Sequence, residues 1–399
     1  MIRRVLMFLM LVAWAAGAWA AGHDSYTVLV SLDGFRWDYV EAYDCPFLSK
    51  MGQKGVKAVV TPSFPTKTFP NHYTMATGLV PDHHGIIGNQ FRVVETGKLY
   101  SAGNAVARDG KLYGGTPLWL TAKQQGVKSA TVYWVGSDVA IQGDHANYWL
   151  DYGKKPLLTP QQRIDMVIDL LQKPEDKRPH LVMAYFEEPD ASGHNYGPIS
   201  RPTRKAMEEL DLLMSSLYFR LMSLPFGKDI NLIITGDHGM ATLSPECVIP
   251  IKKHIKEEWV ETIANDYPTL IYAKKPEFVD SIYNALKDLD HMRTWRKGEC
   301  PEYTVYGNNK NMGDVIAMPD LGWRFTDAPV QRNTGTHGFD HTYSDLWVAF
   351  RAIGPDFKSG YERESTFSNV CLYPLVCHLL GLTPAPCDGT LEEVKDLLK

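Results

Sequence analysis

Asp33, Asp190 and Asp237 each close a short apolar run (TVLVSLD, LVMAYFEEPD and NLIITGD), and two of them have a histidine just behind, His194 and His238. A fourth cluster, Gly335-Thr336-His337-Gly338, sets another histidine in a glycine-flanked loop. Carboxylates and imidazoles are zinc donors, and catalytic zinc keeps one coordination position open. Six such side chains suit two ions, and a pair about 3.5–4 Å apart can grip the attacking and leaving oxygens of a phosphoryl transfer. Asp190 and His194 stand four apart, so a helical turn would align them on one face, although Gly193 between them also permits a tight irregular turn. Asp237 and His238 are adjacent. They can share an ion only where a strand has ended and the chain bends, which Gly236 and Gly239 allow. A lone Asp–His pair is ordinarily a cap or a surface pair. Four clusters beside strand ends and glycine turns point to a metal cage.

The cage needs a nucleophile, and the segment PTKTFPNHY, residues 65–73, offers Thr66 and Thr68. Thr68 and Asn71 fall where a helix should begin, with Pro70 in its first turn. A helix N-terminus presents free N–H groups and positive potential to a phosphate. A threonine hydroxyl is inert at its own pKa, but metal coordination activates it. Read alone, either threonine is an N-cap; beside the cage, it becomes the attacking group.

The elements that must position these residues are legible from their periodicity. Strands are expected at 27–32, 57–60, 129–134, 180–186 and 231–235. Helices are expected at 45–54, 71–78, 117–125, 160–171 and 203–221, with Thr159 capping the helix that opens on Pro160. The alternation implies an α/β fold, a mostly parallel sheet covered by helices on both faces, which binds ligands at the carboxyl ends of its strands. From 247 to 332 the rhythm becomes irregular, and a strand at 270–273 followed by a helix at 276–289 suggests a small β-α insertion.

Arg3 and Arg4 precede an apolar stretch, residues 5–19, whose end overlaps Ala18-Trp19-Ala20, the pattern of a signal peptide cleaved after Ala20. The stretch is short for a membrane span, and retention as an anchor is the alternative. Export to a periplasm or the extracellular space is the expectation, with no stable membrane span after cleavage. A formal net charge of -5 gives no reason to expect a nucleic-acid duplex as partner. Export permits disulfides among the six cysteines, whose pairing the sequence does not choose, and the absence of a C-x-x-C pair argues against a thiolate zinc knuckle.

In order along the chain, SLDGFRWDY, PTKTFPNHYTMATGLVPDHHGIIGN, TPLWLTAKQQGVKSATVYWVGSDV, YFEEPDASGHNYGP, ITGDHGM and GTHGFD resemble the nucleotide pyrophosphatase/phosphodiesterase (NPP) family of the alkaline phosphatase superfamily. The resemblance implies a single alkaline-phosphatase-like catalytic domain over 21–399 and two zinc ions. Asp33, Thr68, Asp237 and His238 would hold one ion, and Asp190, His194 and His337 the other. It further implies a two-step in-line displacement in which Thr68 attacks phosphorus and the phospho-threonine is then hydrolysed. Asn71 would stabilise the non-bridging oxygens. Phe69 and Tyr152 would flank the leaving group and stack on a base, with Tyr185 a further candidate.

Two departures stand out. Pro81-Asp82-His83-His84-Gly85 replaces the family's P-E-S-H-G, where His84 reads as structural and His83 as surface. His341 follows Gly338-Phe339-Asp340 where many members have asparagine, and it reads as a supporting group rather than a ligand. The appended domains of larger animal members have no counterpart here, which implies a compact bacterial enzyme. A sulfatase would need cysteine or serine in a C/S-x-P-x-R setting. A phosphomonoesterase would need more cations around the phosphate. A phosphocholine-directed diesterase would need a choline cage, and a non-enzymatic nucleotide binder would have no use for an intact nucleophile and ligand set.

Overall fold

The computed structural model describes residues 25–399; the expected export signal lies outside the described residues. Ten strands matter to the argument: β1 (Tyr26–Leu32), β2 (Val56–Thr61), β3 (Ser129–Val132), β4 (Leu181–Phe186), β5 (Ile230–Thr235), β6 (Val260–Ala264), β7 (Thr269–Ala273), β8 (Met292–Arg296), β9 (Val315–Pro319) and β10 (Val348–Ile353). The main sheet runs β2-β10-β5-β1-β4-β3, with two-residue strands extending both ends. Its centre is parallel: β1 pairs with β4 and β5, and β3 with β4. Such strands are hidden on both faces, which is why β1, β4 and β5 read as unbroken apolar runs.

Helices cover both faces, as the α/β reading requires. They are α1 (Pro46–Lys54), α2 (Thr68–Thr77), α3 (Leu118–Gln124), α4 (Pro160–Leu171), α5 (Asp190–Tyr196), α6 (Arg201–Met222), α7 (Val279–Leu286) and α8 (Leu372–Leu379). Alternation along β1 divides the core: Val28, Val30 and Leu32 pack with α1, α4 and α6, while Leu29 packs with α2, α3 and α8. Helix α6 buries Met207, Leu210, Met214, Leu217 and Leu221 at the three-to-four spacing of an amphipathic helix. Thr159 and Gln162 form a reciprocal capping box on α4.

Two readings needed correction. The strand expected at 129–134 stops at Val132, because Tyr133 turns to a φ of 60°. Strand β10 was not anticipated. It enters antiparallel between β2 and β5, and Arg351 interrupts its apolar run. That arginine is buried, with Nη2 donating to Glu41 at 3.0 Å and Nη1 to the Phe350 carbonyl. The irregular stretch holds a second sheet, β6-β7-β9-β8, antiparallel throughout and packed on α7. All six cysteines are free thiols. Among the described residues, no helix is long and apolar enough to cross a membrane.

Register positions the site. Leu32 lies level with Phe186 and Ser31 with Thr235, so the chain leaves β1, β4 and β5 at one edge of the sheet. The pairing runs on past the strands, with Asp33 N–H donating to the Phe186 carbonyl and Asp190 N–H to the Asp33 carbonyl, both at 2.9 Å. Three aspartates from distant segments therefore meet where open α/β sheets place ligands.

Candidate active site

Two donor groups converge at this edge. In the first, His238 Nε2 lies 3.0 Å from Asp237 Oδ2 and 3.4 Å from Asp33 Oδ1. In the second, Asp190 Oδ1 lies 3.3 Å from His194 Nε2 and 3.6 Å from His337 Nε2, and the two imidazole nitrogens approach to 3.1 Å. The rings of His238 and His337 stack at 3.5 Å between centroids, joining the groups. Asp190 and His194 share a face of α5, so of the two geometries the sequence allowed, the helical one is adopted. Gly236 and Gly239 serve by leaving room rather than by an unusual φ. A Cβ on Gly236 would fall 2.5 Å from the Leu32 carbonyl oxygen, and one on Gly239 would fall 2.2 Å from that of Asp345.

Hydrogen bonding fixes what the imidazoles can offer. Nδ1 of His238 faces the Gly239 carbonyl at 2.9 Å, that of His194 the Gly335 carbonyl at 2.9 Å, and that of His337 the Thr66 carbonyl at 2.8 Å. A carbonyl only accepts, so each Nδ1 carries a proton, which leaves each inward-facing Nε2 as the atom that offers a lone pair to an ion. Those lone pairs meet carboxylate oxygens that are equally short of donors. Asp33 Oδ1, Asp190 Oδ1 and Asp237 Oδ2 are buried without a hydrogen-bond partner, an arrangement costing several kcal/mol per charge unless a cation compensates. Each group can hold one divalent ion, and the mix of imidazole and carboxylate is of the kind zinc takes.

The protonation of the metal-free groups reports the same crowding. Burial, reinforced by Asp237 and Asp190, holds the Asp33 carboxyl well above its ordinary pKa. Burial also raises Asp190. For Asp237 burial is outweighed by His238 and His72, and its carboxyl is held low. Burial keeps His337 well below the usual imidazole range. Surrounding groups orient the spare oxygens: the Tyr185 hydroxyl donates to Asp33 Oδ2 at 2.6 Å and Gly34 N–H to Asp237 Oδ1 at 3.1 Å. His194, with 38% of its side chain exposed, opens the cluster to solvent.

Thr68 is the threonine at the cage. Its Oγ1 stands 3.1 Å from His238 Nε2, and it opens α2 with Lys67 as N-cap residue, so neither threonine is the cap. Thr66 instead holds the loop of His337, its hydroxyl donating to the Phe339 carbonyl at 3.0 Å and accepting Gly338 N–H at 2.9 Å. Asn71, expected at the phosphate oxygens, is used up inside the fold. Its Oδ1 accepts from Ser63 N–H and Asn369 Nδ2, and its Nδ2 donates to the Pro65 and Lys67 carbonyls, all within 3.0 Å. The amide that lies beside the nucleophile belongs to Asn89, whose Oδ1 accepts Phe69 N–H at 3.0 Å. Its Nδ2 has no acceptor among the described residues and is available to a phosphate oxygen. Sequence reasoning passed it over, although it is the last residue of the longest family-like segment. Asn89→Ala should therefore lower kcat by about 10–100-fold with little change in Tm. Asn71→Ala should instead lower stability by about 1–3 kcal/mol for the polar groups it strands. Thermal melts run alongside kinetics separate the two.

Beside Thr68, a cavity of about 430 Å³ is walled by Phe69, Trp134, Tyr152 and Tyr185, with Arg108 and Asp138 at its polar side. Its size and lining suit a small ligand. The Tyr152 hydroxyl donates to Glu187, which Arg163 holds at 2.6 Å. Tyr185 thus has two contacts, its ring on the cavity and its hydroxyl on Asp33. His84 is fully buried, its pKa pushed down to about 3 by desolvation, with Nε2 on Thr74 and Nδ1 accepting Ile86 N–H. His83 is exposed and pairs with Asp388. His341 lies against Phe64 and Tyr303, its Nδ1 without a hydrogen-bond partner.

Fold and site together place the chain in the alkaline-phosphatase-like superfamily. More narrowly, the chain belongs to the type I phosphodiesterase/nucleotide pyrophosphatase family, whose model matches residues 27–343. It is 35% identical over 391 residues to human ectonucleotide pyrophosphatase/phosphodiesterase family member 1, aligning 94% of this chain with 42% of that protein, so it spans less than half the length of that relative. It is also 35% identical to mouse bis(5'-adenosyl)-triphosphatase enpp4, over 93% of this chain and 81% of the relative. Among solved structures, human ectonucleotide pyrophosphatase/phosphodiesterase 5 superposes with a TM-score of 0.89 at 31% identity, covering 94% of this chain and all of that one. The murine counterpart, solved as an inactive threonine-to-alanine variant in complex with AMP, gives 0.88 at 31% identity over 94% of this chain and all of its own.

Proposed function

We propose that this protein is an exported, two-zinc phosphodiesterase/nucleotide pyrophosphatase that cleaves nucleotide diester or pyrophosphate bonds through a phospho-threonine on Thr68. The observation that carries the reading is the Thr68 hydroxyl, 3.1 Å from His238 Nε2 at the mouth of two donor groups whose buried oxygens lack partners. Asp33, Asp237, His238 and Thr68 would hold one ion, and Asp190, His194 and His337 the other. Bound zinc supplies Lewis acidity and lowers the pKa of a hydroxyl it touches. Thr68 Oγ1, its proton passing to solvent, attacks phosphorus in line, forming the new P–O bond as the opposite alcohol or phosphate departs with its electron pair and takes up a proton from solvent. Asn89 Nδ2 and the N-terminus of α2 take up charge on the non-bridging oxygens. Water then cleaves this phosphoryl ester of threonine, which still carries the nucleoside, from the vacated side, releasing the nucleoside monophosphate and restoring the hydroxyl. Phe69 and Tyr152 hold a base in the aromatic cavity, consistent with the AMP bound to the murine relative and the name of the mouse triphosphatase. The N-terminal basic-apolar segment supports export.

Diester chemistry is favoured because the ammonium next to the nucleophile, that of Lys67, is already bound to Asp266 at 2.7 Å. The test is a substrate panel with metal analysis. Thymidine monophosphate p-nitrophenyl ester and bis-p-nitrophenyl phosphate should turn over far faster than p-nitrophenyl phosphate or p-nitrophenyl phosphorylcholine, with two zinc ions per chain. Phe69→Ala and Tyr152→Ala should each raise KM on the thymidine ester by about 10–100-fold, the worth of one base stack, and leave bis-p-nitrophenyl phosphate nearly untouched. Faster monoester or phosphorylcholine turnover would overturn the assignment.

A further inference from the structure

The second sheet reaches back to the nucleophile at a single turn. Asp266, between β6 and β7, puts Oδ1 2.7 Å from Lys67 Nζ and accepts Asn89 N–H on Oδ2 at 3.0 Å. One carboxylate thus grips the residue preceding Thr68 and the residue whose amide flanks it. The ion pair is sheltered, with 8% of the Lys67 side chain and 12% of the Asp266 side chain exposed. The ammonium also lies 5.3 Å over the Tyr267 ring. The lysine stem runs so close to Gly338 that a Cβ there would fall 2.4 Å from Cε. Asp266 is braced in turn, its carbonyl accepting the Thr269 hydroxyl at 2.6 Å and its N–H donating to the Ala264 carbonyl at 3.0 Å.

A diester phosphate has one negative charge, whereas a monoester approaches two. An extra ammonium at the phosphate therefore favours the monoester. Lys67 is adjacent in sequence to the nucleophile and carries a long, flexible stem. We propose that Asp266 is a positioning residue that sets selectivity for diesters: it withholds the Lys67 ammonium from the substrate phosphate while its second oxygen keeps Asn89 in place. The inference deepens the phosphodiesterase reading and rests on it.

Asp266→Asn is the informative variant, because an amide oxygen still accepts Asn89 N–H while the lysine loses its anionic partner. The readout is the ratio of kcat/KM on p-nitrophenyl phosphate to that on bis-p-nitrophenyl phosphate, measured on the zinc-loaded full chain. The ratio should rise about tenfold, the usual weight of one charged hydrogen bond, and return to the wild-type value in Asp266→Asn/Lys67→Gln. Lys67→Gln alone should change both rates by the same factor. A ratio unmoved in Asp266→Asn, or raised equally in the double variant, would overturn the proposal. So would a selective loss of monoester turnover in Lys67→Gln, a test that holds even if Asp266→Asn does not fold. Absence of diester turnover in the wild-type chain would instead sink the underlying function, so the two failures are distinguishable.

Discussion

Thr68→Ala is expected to abolish diester hydrolysis, lowering kcat by about four orders of magnitude or more, while zinc content and Tm stay close to wild type. The size follows from the role: with the nucleophile gone, only positioning and electrostatic stabilisation remain to assist a direct attack by water. Retention of the metals follows from geometry. The six carboxylate and imidazole donors come from β-strand ends, α5 and the His337 loop, so each group keeps three donors when the Thr68 hydroxyl beside His238 is lost. Its side chain is half-buried, and Lys67 rather than Thr68 occupies the N-cap position of α2, so the lost methyl and hydroxyl disturb little packing. Quenched-flow trapping offers an independent check. Acid-stable phosphate should label wild type during turnover and be absent from the variant. Activity surviving within tenfold would mean that another group attacks phosphorus.

How much of this was readable before the fold was known depends on what each residue needs in order to act. Asp33, Asp190 and Asp237 were legible because parallel strands are apolar throughout, so a charge closing such a run marks a strand end, and strand ends share an edge. His337 was legible through its flanking glycines. Asn71 misled by nearness: it is three residues from Thr68, yet its amide turns inward to Ser63, Pro65 and Asn369. Asn89 escaped notice because an uncharged amide after a glycine has no signature of its own; only its 3.0 Å contact with Phe69 N–H gives it a role. Strand β10 was hidden by Arg351, whose burial depends on Glu41, a partner from a remote segment. Asp266 lay in the stretch where periodicity failed, and its meaning is wholly tertiary.

Chelation is expected to have the second large effect, and its pH dependence separates a metal cage from an ordinary polar cluster. Stripping both ions should abolish turnover, by at least about a thousandfold, and lower Tm by about 10 °C at pH 8, since each ion contributes a few kcal/mol of linkage energy. Zinc added back should restore both. In the stripped chain the folded-state pKa of Asp33 and of Asp190 is raised, by burial first and by neighbouring carboxylates. A raised carboxylate penalises folding wherever the unfolded chain has already lost its proton, and the penalty is complete once the folded chain has lost it too. The penalty is therefore absent below the ordinary carboxylate pKa and grows as pH climbs towards the folded value. His238 acts in the same sense: burial opposes its charge, but Asp237 outweighs that and raises its pKa, so a proton there stands in for the cation until pH rises through the folded value. The Tm lost on chelation should thus shrink markedly between pH 8 and pH 5, while zinc affinity itself falls as protons compete for the same oxygens and nitrogens. Asp190→Asn should mimic half of the effect, losing one ion and most of the activity. If chelation left Tm unchanged at pH 8, the partnerless oxygens of Asp33, Asp190 and Asp237 would have to be satisfied without a metal, and the cage would have no physical basis.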